Sequence, residues 1–187
     1  MSTFSTDEVL INVTPMESRV ALIENGVVQE LFIERTAKRG LVGNIYRGKV
    51  VRVLPGMQAA FIDIGLERTA FLHINEVRMP PSGVRPQTIQ ECLHDGMSIT
   101  VQVMKDMMGS KGARLTMDLS IPSRYLVYMP YSDQIGVSQK IEDESERDRL
   151  KQWIRRLRES SPDELGGGFI IRTVAESAHD AELDHDM

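Results

Sequence analysis

The chain has 187 residues, 41% of them hydrophobic and 26% charged, with a net charge of −5. That is enough chain for one sizeable core or two smaller ones, in the composition range of soluble globular proteins. No apolar run approaches the ~18 residues of a membrane span, the opening MSTFSTDEVLINV lacks the basic flank and apolar block of a signal peptide, and the single cysteine, Cys92, excludes an internal disulfide or a multi-cysteine zinc site.

The expected location is therefore cytoplasmic, with no membrane partner. The acidic total conceals a basic middle. Residues 1–43 carry 4 basic and 6 acidic side chains, residues 44–118 carry 9 and 7, and residues 119–187 carry 9 and 14. Phosphate binding follows local charge more than the total.

In chain order, SRVALIENGVVQELFIE (18–34) reads strand, Asn25-Gly26, strand, because Asn-Gly supplies the two positive-φ residues of a type I′ turn. TAKRGLVG (36–43) is a polar linker. NIYRGKVVRVL, ended by Pro55-Gly56, predicts the first strand of a small barrel. MQAAFIDIG predicts a second strand and ERTAFLHI a third, with a tight connection near Gly65-Leu66. MPPSGVRP is a Pro-rich excursion, followed by a short helix over 88–94. SITVQVMKD is a fourth strand, MMGSKG a turn and ARLTMDLSI a fifth. Five short strands with the long excursion between the third and fourth suit an OB-fold.

After Pro122, RYLVYMP and GVSQKIE read as short strands and DESERDRLKQWIRRLRE as a helix. Asp143 and Glu146 have the capping-box spacing, and Leu150, Trp153, Ile154 and Leu157 fall on one helical face. Arg155, Arg156 and Arg158 sit in the last turn, where cations suit the helix dipole. GGGFIIRTV is a further strand. AESAHDAELDHDM opens a helix with no stop signal, which leads us to expect a longer protein. HDAELDHD could offer His179, Asp180, Asp184 and His185 to a metal, but it has no dedicated liganding loop, and a solvated acidic helix face is the favoured reading.

Alternation on the second and third strands puts Ala60, Ile62, Ala70 and Leu72 on the core side. Ala59, Phe61 and Asp63, and Thr69, Phe71 and His73, then face outward, because the polar members would be costly to bury unpaired. A turn centred on Leu66 places Phe61 opposite Phe71. Such a pair is either a cross-strand aromatic contact covered by a neighbouring domain or a platform for nucleobases, each contributing about 1–3 kcal/mol by stacking. Arg47 and Lys49 on the first strand, with Lys105, Lys111 and Arg114 around the fourth–fifth turn, favour the platform for single-stranded RNA or DNA.

NIYRGKVVRVLPGMQAAFIDIGLERTAFLH closely resembles the OB-fold RNA-binding segment of the RNase E/RNase G family of bacterial endoribonucleases. INVTPMESRVALIENG, GSKGARLT, PSRYLVYMP, GVSQKIEDESER and GGFIIRT resemble successive blocks of that family, in order, from about Leu10 to about Leu183. PGMQAAF and GVSQ lean towards its RNase G branch. The resemblance implies a mainly β chain with α+β flanks. Residues 1–42 would open an RNase H-like domain, residues 43–118 would be the five-stranded OB-fold barrel inserted into it, and residues 119–187 would continue as part of a 5′-sensor segment, truncated here.

It also implies roles. Phe61, Phe71 and Lys111 fall on RNA-contacting positions, with His73, Arg47 and Lys49 beside them. Arg172 and Thr173 fall on the pair that holds a 5′-monophosphate, and Val127 on the position that packs against the terminal base. The expected partner is single-stranded RNA, preferably 5′-monophosphorylated, in rRNA processing and mRNA decay.

Two departures stand out. Gln139 replaces an arginine that lines the 5′ pocket in RNase E, with Lys140 adjacent. The family's magnesium-holding aspartates and its zinc-sharing Cys-x-x-Cys lie in a later subdomain absent from this sequence. Mg and Zn are thus expected only for the full-length protein, as is homo-oligomerisation, and no catalytic or metal-binding residue is assigned here. The contrasting expectation is a stand-alone RNA-binding or translation-associated protein without chemistry.

Overall fold

A computed structural model of the chain describes residues 7–78, 86–109, 111–160 and 166–186, so most of the Pro-rich excursion lies outside the described residues. The chain divides into two units, Met1–Leu41 and Val42–Met187.

The first unit is an antiparallel meander of β1 (Asp7–Val13), β2 (Glu17–Glu24) and β3 (Val27–Arg35). The β2–β3 hairpin turns at Asn25 (φ 51°) and Gly26 (φ 77°), as the dipeptide predicts. β1 was not legible as a strand: Val9, Leu10 and Ile11 are apolar in succession, which hides the period of two. Every residue of β1 and β3 is exposed, including Ile11 at 67% and Phe32 at 54%.

In the second unit, β4 (Ile45–Leu54), β5 (Ala59–Asp63), β6 (Ala70–His73), β7 (Ser98–Lys105) and β8 (Arg114–Thr116) close a barrel in the order β4-β5-β6-β8-β7. The β6–β8 pair is parallel and the others are antiparallel. This is the OB-fold arrangement expected from the sequence. Alternate residues fill the interior, among them Val50, Ala60, Ile62, Leu72, Val101 and Leu115, but Ala59, expected on the outward face with Phe61, is fully buried like its neighbour Ala60. The helix expected over 88–94 is the single turn α1 (Ile89–Cys92); the backbone is already extended at Leu93, which is itself buried.

The fifth strand is shorter than the run ARLTMDLSI suggests. Met117 N–H donates to the Glu76 carbonyl instead of continuing the ladder, and the chain then crosses to a second sheet. Buried Gln102 guides that departure. Its Nε2 donates to the carbonyls of Gly43 (3.0 Å) and Ser120 (2.7 Å), and its Oε1 accepts from Ser120 N–H (2.8 Å). One side chain thereby ties the barrel's first residues to its last.

The second sheet has the order β11-β12-β10-β9, from β9 (Ile121–Pro122), β10 (Leu126–Met129), β11 (Ile135–Val137) and β12 (Gly168–Ile171). Helix α2 (Glu144–Ser160) lays Leu150, Trp153 and Ile154 on Leu126, Phe169 and Ile171, and Leu183 of α3 (Asp180–His185) completes the cluster. The capping box expected at α2 does not close. Asp143 Oδ1 accepts from Ser145 N–H, but Glu146 turns away to Arg149 and to Ser177 N–H. A charged guanidinium is a stronger partner than the Asp143 amide. Arg78, leaving the barrel, stacks over Tyr131 with its guanidinium carbon 4.2 Å from the ring centre.

Candidate nucleic-acid interface

Phe61 on β5 stands directly opposite Phe71 on β6. Their ring centres are 6.3 Å apart and the planes meet at 66°, an edge-to-face contact. The edge of one ring covers part of the other's face, and both are half-buried rather than fully exposed. They line an open concavity of about 960 Å³ together with Met57, Arg68, Lys111 and Arg114, and with the single carboxylate Glu67, among others.

Two loops bring the cations there. The β5–β6 loop supplies Arg68. The β7–β8 loop turns back on itself through a Met108–Lys111 bridge and presents Lys111. The loops are fastened together: Arg68 Nη1 donates to the Gly109 carbonyl, and Gly112 passes so close to the Thr69 carbonyl that no Cβ would fit between them. Arg114 enters from β8, paired with Phe71.

The structure redistributes the other expected residues. Lys49 lies opposite Asp63 and Arg47 opposite Thr100, further along β4 and outside the concavity's lining. A register shift between Val50 and Arg52 puts Arg52 opposite Phe61, where an unbroken ladder would put Val51. The sequence carries no mark of that bulge. His73 follows Phe71 on β6 but does not line the concavity: its Nδ1 accepts from Asn75 N–H (3.2 Å) and caps the 3₁₀ turn Ile74–Glu76. Arg68, Met57 and Arg52 were missed by the sequence reading; only Arg68's place in the connection between the two aromatic strands could have suggested it.

A second concavity, of about 310 Å³, opens where β12 ends, lined by Ser138, Ile170, Arg172, Thr173 and Val174 among others. Arg172 N–H donates to the Tyr125 carbonyl (2.8 Å), and its guanidinium donates to the Ser123 carbonyl (2.6 Å) rather than to Glu176. Thr173 Oγ1 lies 2.8 Å from Ser138 Oγ. Val127 pairs with Ile170, and Gly136 flanks Ile170 on its other side, so one sheet face runs Val127, Ile170, Gly136 beside the opening. Ile170 is 40% exposed. Gln139 and Lys140 are exposed next to this concavity and do not line it. The helix expected in AESAHDAELDHDM is present but begins later than Ala175. Thr173–Ala175 form a 3₁₀ turn, Ser177 adopts φ 61°, and α3 starts only at Asp180.

The acidic tail is used structurally. Asp180 binds Arg149 and Arg156, Asp184 accepts from Trp153 Nε1, and Asp186 accepts from Ser123 and the Arg124 and Tyr125 amides. Among the described residues, no three His, Cys, Asp or Glu side chains converge on one point, and no helix is long and apolar enough to cross a membrane.

The profile of the Ribonuclease E/G family matches residues 120–187. Across the barrel as well, the chain is 51% identical over 189 residues to Ribonuclease G of Escherichia coli (strain K12), covering 97% of this chain and 38% of that protein. It is 52% identical to Ribonuclease G of Haemophilus influenzae over 96% of this chain and 37% of the relative. The chain belongs to the ribonuclease E/G family. Ribonuclease E of Haemophilus influenzae is more distant, 39% identical over 95% of this chain and 19% of that protein. The chain thus spans well under half the length of the curated relatives it matches. Both concavities fall within the stretch shared with these members of the family.

Proposed function

We propose that this chain is the RNA-recognition part of a metal-dependent endoribonuclease, binding single-stranded RNA on the barrel and sensing a 5′-monophosphate at the end of β12, in rRNA processing and mRNA decay. The observation that carries this reading is the Phe61–Phe71 pair inside a concavity whose rim holds Arg68, Lys111 and Arg114. Aromatic faces accept any base, and guanidinium and ammonium groups meet the backbone phosphates. At the second concavity, Arg172 offers a planar fork of donors and Thr173 a hydroxyl, a donor set suited to phosphate oxygens, while Val127 and Ile170 offer an apolar shelf for the first base.

The exposed apolar side chains of the β1–β3 sheet fit the opening of an RNase H-like layer completed by other parts of the full-length protein. Mg and Zn, and homo-oligomerisation, belong in this proposal to the full-length protein. The described residues do not fit a metal centre, since their carboxylates and histidines do not converge and Cys92 is the lone thiol. No catalytic step is assigned to them. A binding protein without chemistry is less favoured, because relatives 51% and 52% identical over nearly all of this chain carry the name of ribonucleases.

The test is titration of the chain with a single-stranded RNA oligonucleotide at several salt concentrations. Phe61→Ala and Phe71→Ala should each weaken binding by about 1–3 kcal/mol. Lys111→Ala should weaken binding to all sequences and flatten the dependence of log K on log salt by about 0.7, one phosphate contact. Unchanged affinity in the double phenylalanine variant would overturn the assignment.

A further inference from the structure

We propose that Ser138 is a positioning residue of the second concavity, holding the Thr173 hydroxyl so that its proton points at a bound phosphate. This rests on the reading of that concavity as a 5′-phosphate pocket.

Ser138 is fixed on every side that could let it drift. Its N–H donates to the Ile171 carbonyl (2.9 Å), and its own carbonyl accepts from Arg147 Nη1 (2.8 Å), which also donates to the Ile141 carbonyl. Its Oγ accepts from Lys140 N–H at 3.3 Å and lies 2.8 Å from Thr173 Oγ1. A hydroxyl has one proton and two lone pairs. With one lone pair taken by Lys140 N–H, Ser138 can either give its proton to Thr173 or accept Thr173's proton. The first order leaves the Thr173 proton free to turn into the concavity that both residues line. The second consumes that proton and turns Thr173's lone pairs towards the opening. An anion in the concavity selects the first order, because lone pairs facing a phosphate repel it and an O–H facing it donates a charge-assisted bond. Thr173 supplies the donor, and Ser138, by giving its own proton to Thr173 Oγ1, holds that donor turned towards the anion.

The experiment measures the affinity of the chain for one single-stranded RNA carrying either a 5′-monophosphate or a 5′-hydroxyl. The parent should prefer the monophosphate. Ser138→Ala should reduce that preference about three- to tenfold, leaving affinity for the 5′-hydroxyl RNA and the melting temperature close to the parent's. Ser138→Thr, which restores a hydroxyl, should restore the preference. A parent that prefers the monophosphate together with a Ser138→Ala variant that keeps the full preference would overturn the role of Ser138 alone. A Ser138→Ala variant weakened equally towards both RNAs would show a purely structural hydroxyl and overturn it too. A parent without preference, and an Arg172→Ala variant indistinguishable from it, would remove the pocket reading itself.

Discussion

A methyl group on Gly112 would lie 2.0 Å from the Thr69 carbonyl oxygen. That oxygen belongs to the backbone leading into β6 and cannot swing aside as a flexible side chain would. Gly112→Ala should therefore push the Lys111 loop away from the barrel and strain the Phe71 N–H to Ala113 carbonyl bond, 2.8 Å in the parent. We expect a loss of about 1–3 kcal/mol in stability and weaker RNA binding, read by thermal melting and by titration; a variant equal to the parent in both would show that the loop has slack. Phe61 and Phe71 were legible at this scale because the period of a strand is two, and a tight turn sets which residues face each other. Arg52 was not legible, since the bulge that carries it beside Phe61 follows from the curvature of a closed barrel rather than from local pattern. Ser138 was hidden for a different reason: a lone serine after a short strand carries no signal until the parallel strand beside it brings Thr173 within hydrogen-bonding distance.

Helix α3, six residues from Asp180 to His185, is too short to persist unaided. It is held by buried Leu183 and by Asp186 just beyond its end, which accepts from the Ser123 hydroxyl at 2.6 Å and the Tyr125 amide at 2.7 Å. Burial raises the Asp186 pKa, but the Ser123 hydroxyl and the Tyr125 and Arg124 amides outweigh it and hold the carboxyl below its ordinary value of 3.8. A depressed carboxyl contributes stability that is fully present above that ordinary value and is lost as pH falls through the lower folded one. Asp186→Asn should accordingly be less stable than the parent at pH 7, and the difference should shrink below about pH 4. Urea unfolding at the two pH values checks this; a difference that does not change with pH would remove the carboxylate's charge from the account. Of the helices, α2 was legible from its apolar stripe, whereas the end of the fifth barrel strand was not, because β-rich sequence continues straight into another sheet.

Gln102 works at the scale of the whole second unit, joining Gly43 at the barrel's entrance to Ser120 at its exit. Gln102→Leu keeps the approximate volume and strands two carbonyls and an amide in a site where the glutamine is only 5% exposed. We expect a loss of about 2–4 kcal/mol, measured by urea unfolding; a loss below about 1 kcal/mol would mean that water replaces the side chain. A barrel whose ends are tied in this way can be carried between two other segments with little strain on either, which suits the insertion proposed for the full-length protein. The sequence by itself determined the β hairpin at Asn25-Gly26, the five strands of the barrel, the pairing of the two phenylalanines and the apolar face of α2, because each is written in spacings of two, in spacings of three and four, or in turn residues whose backbone preferences are local. The tertiary structure alone decided that Arg68 and Arg52, and not Arg47 and Lys49, stand beside the aromatic rings, that Gln102 closes the barrel's ends and that Ser138 meets Thr173. Those contacts depend on barrel closure, a bulge and a parallel crossover, with Gln102 reaching Gly43 59 positions away and Ser138 reaching Thr173 35 positions away, and no local pattern in the chain encodes such distances.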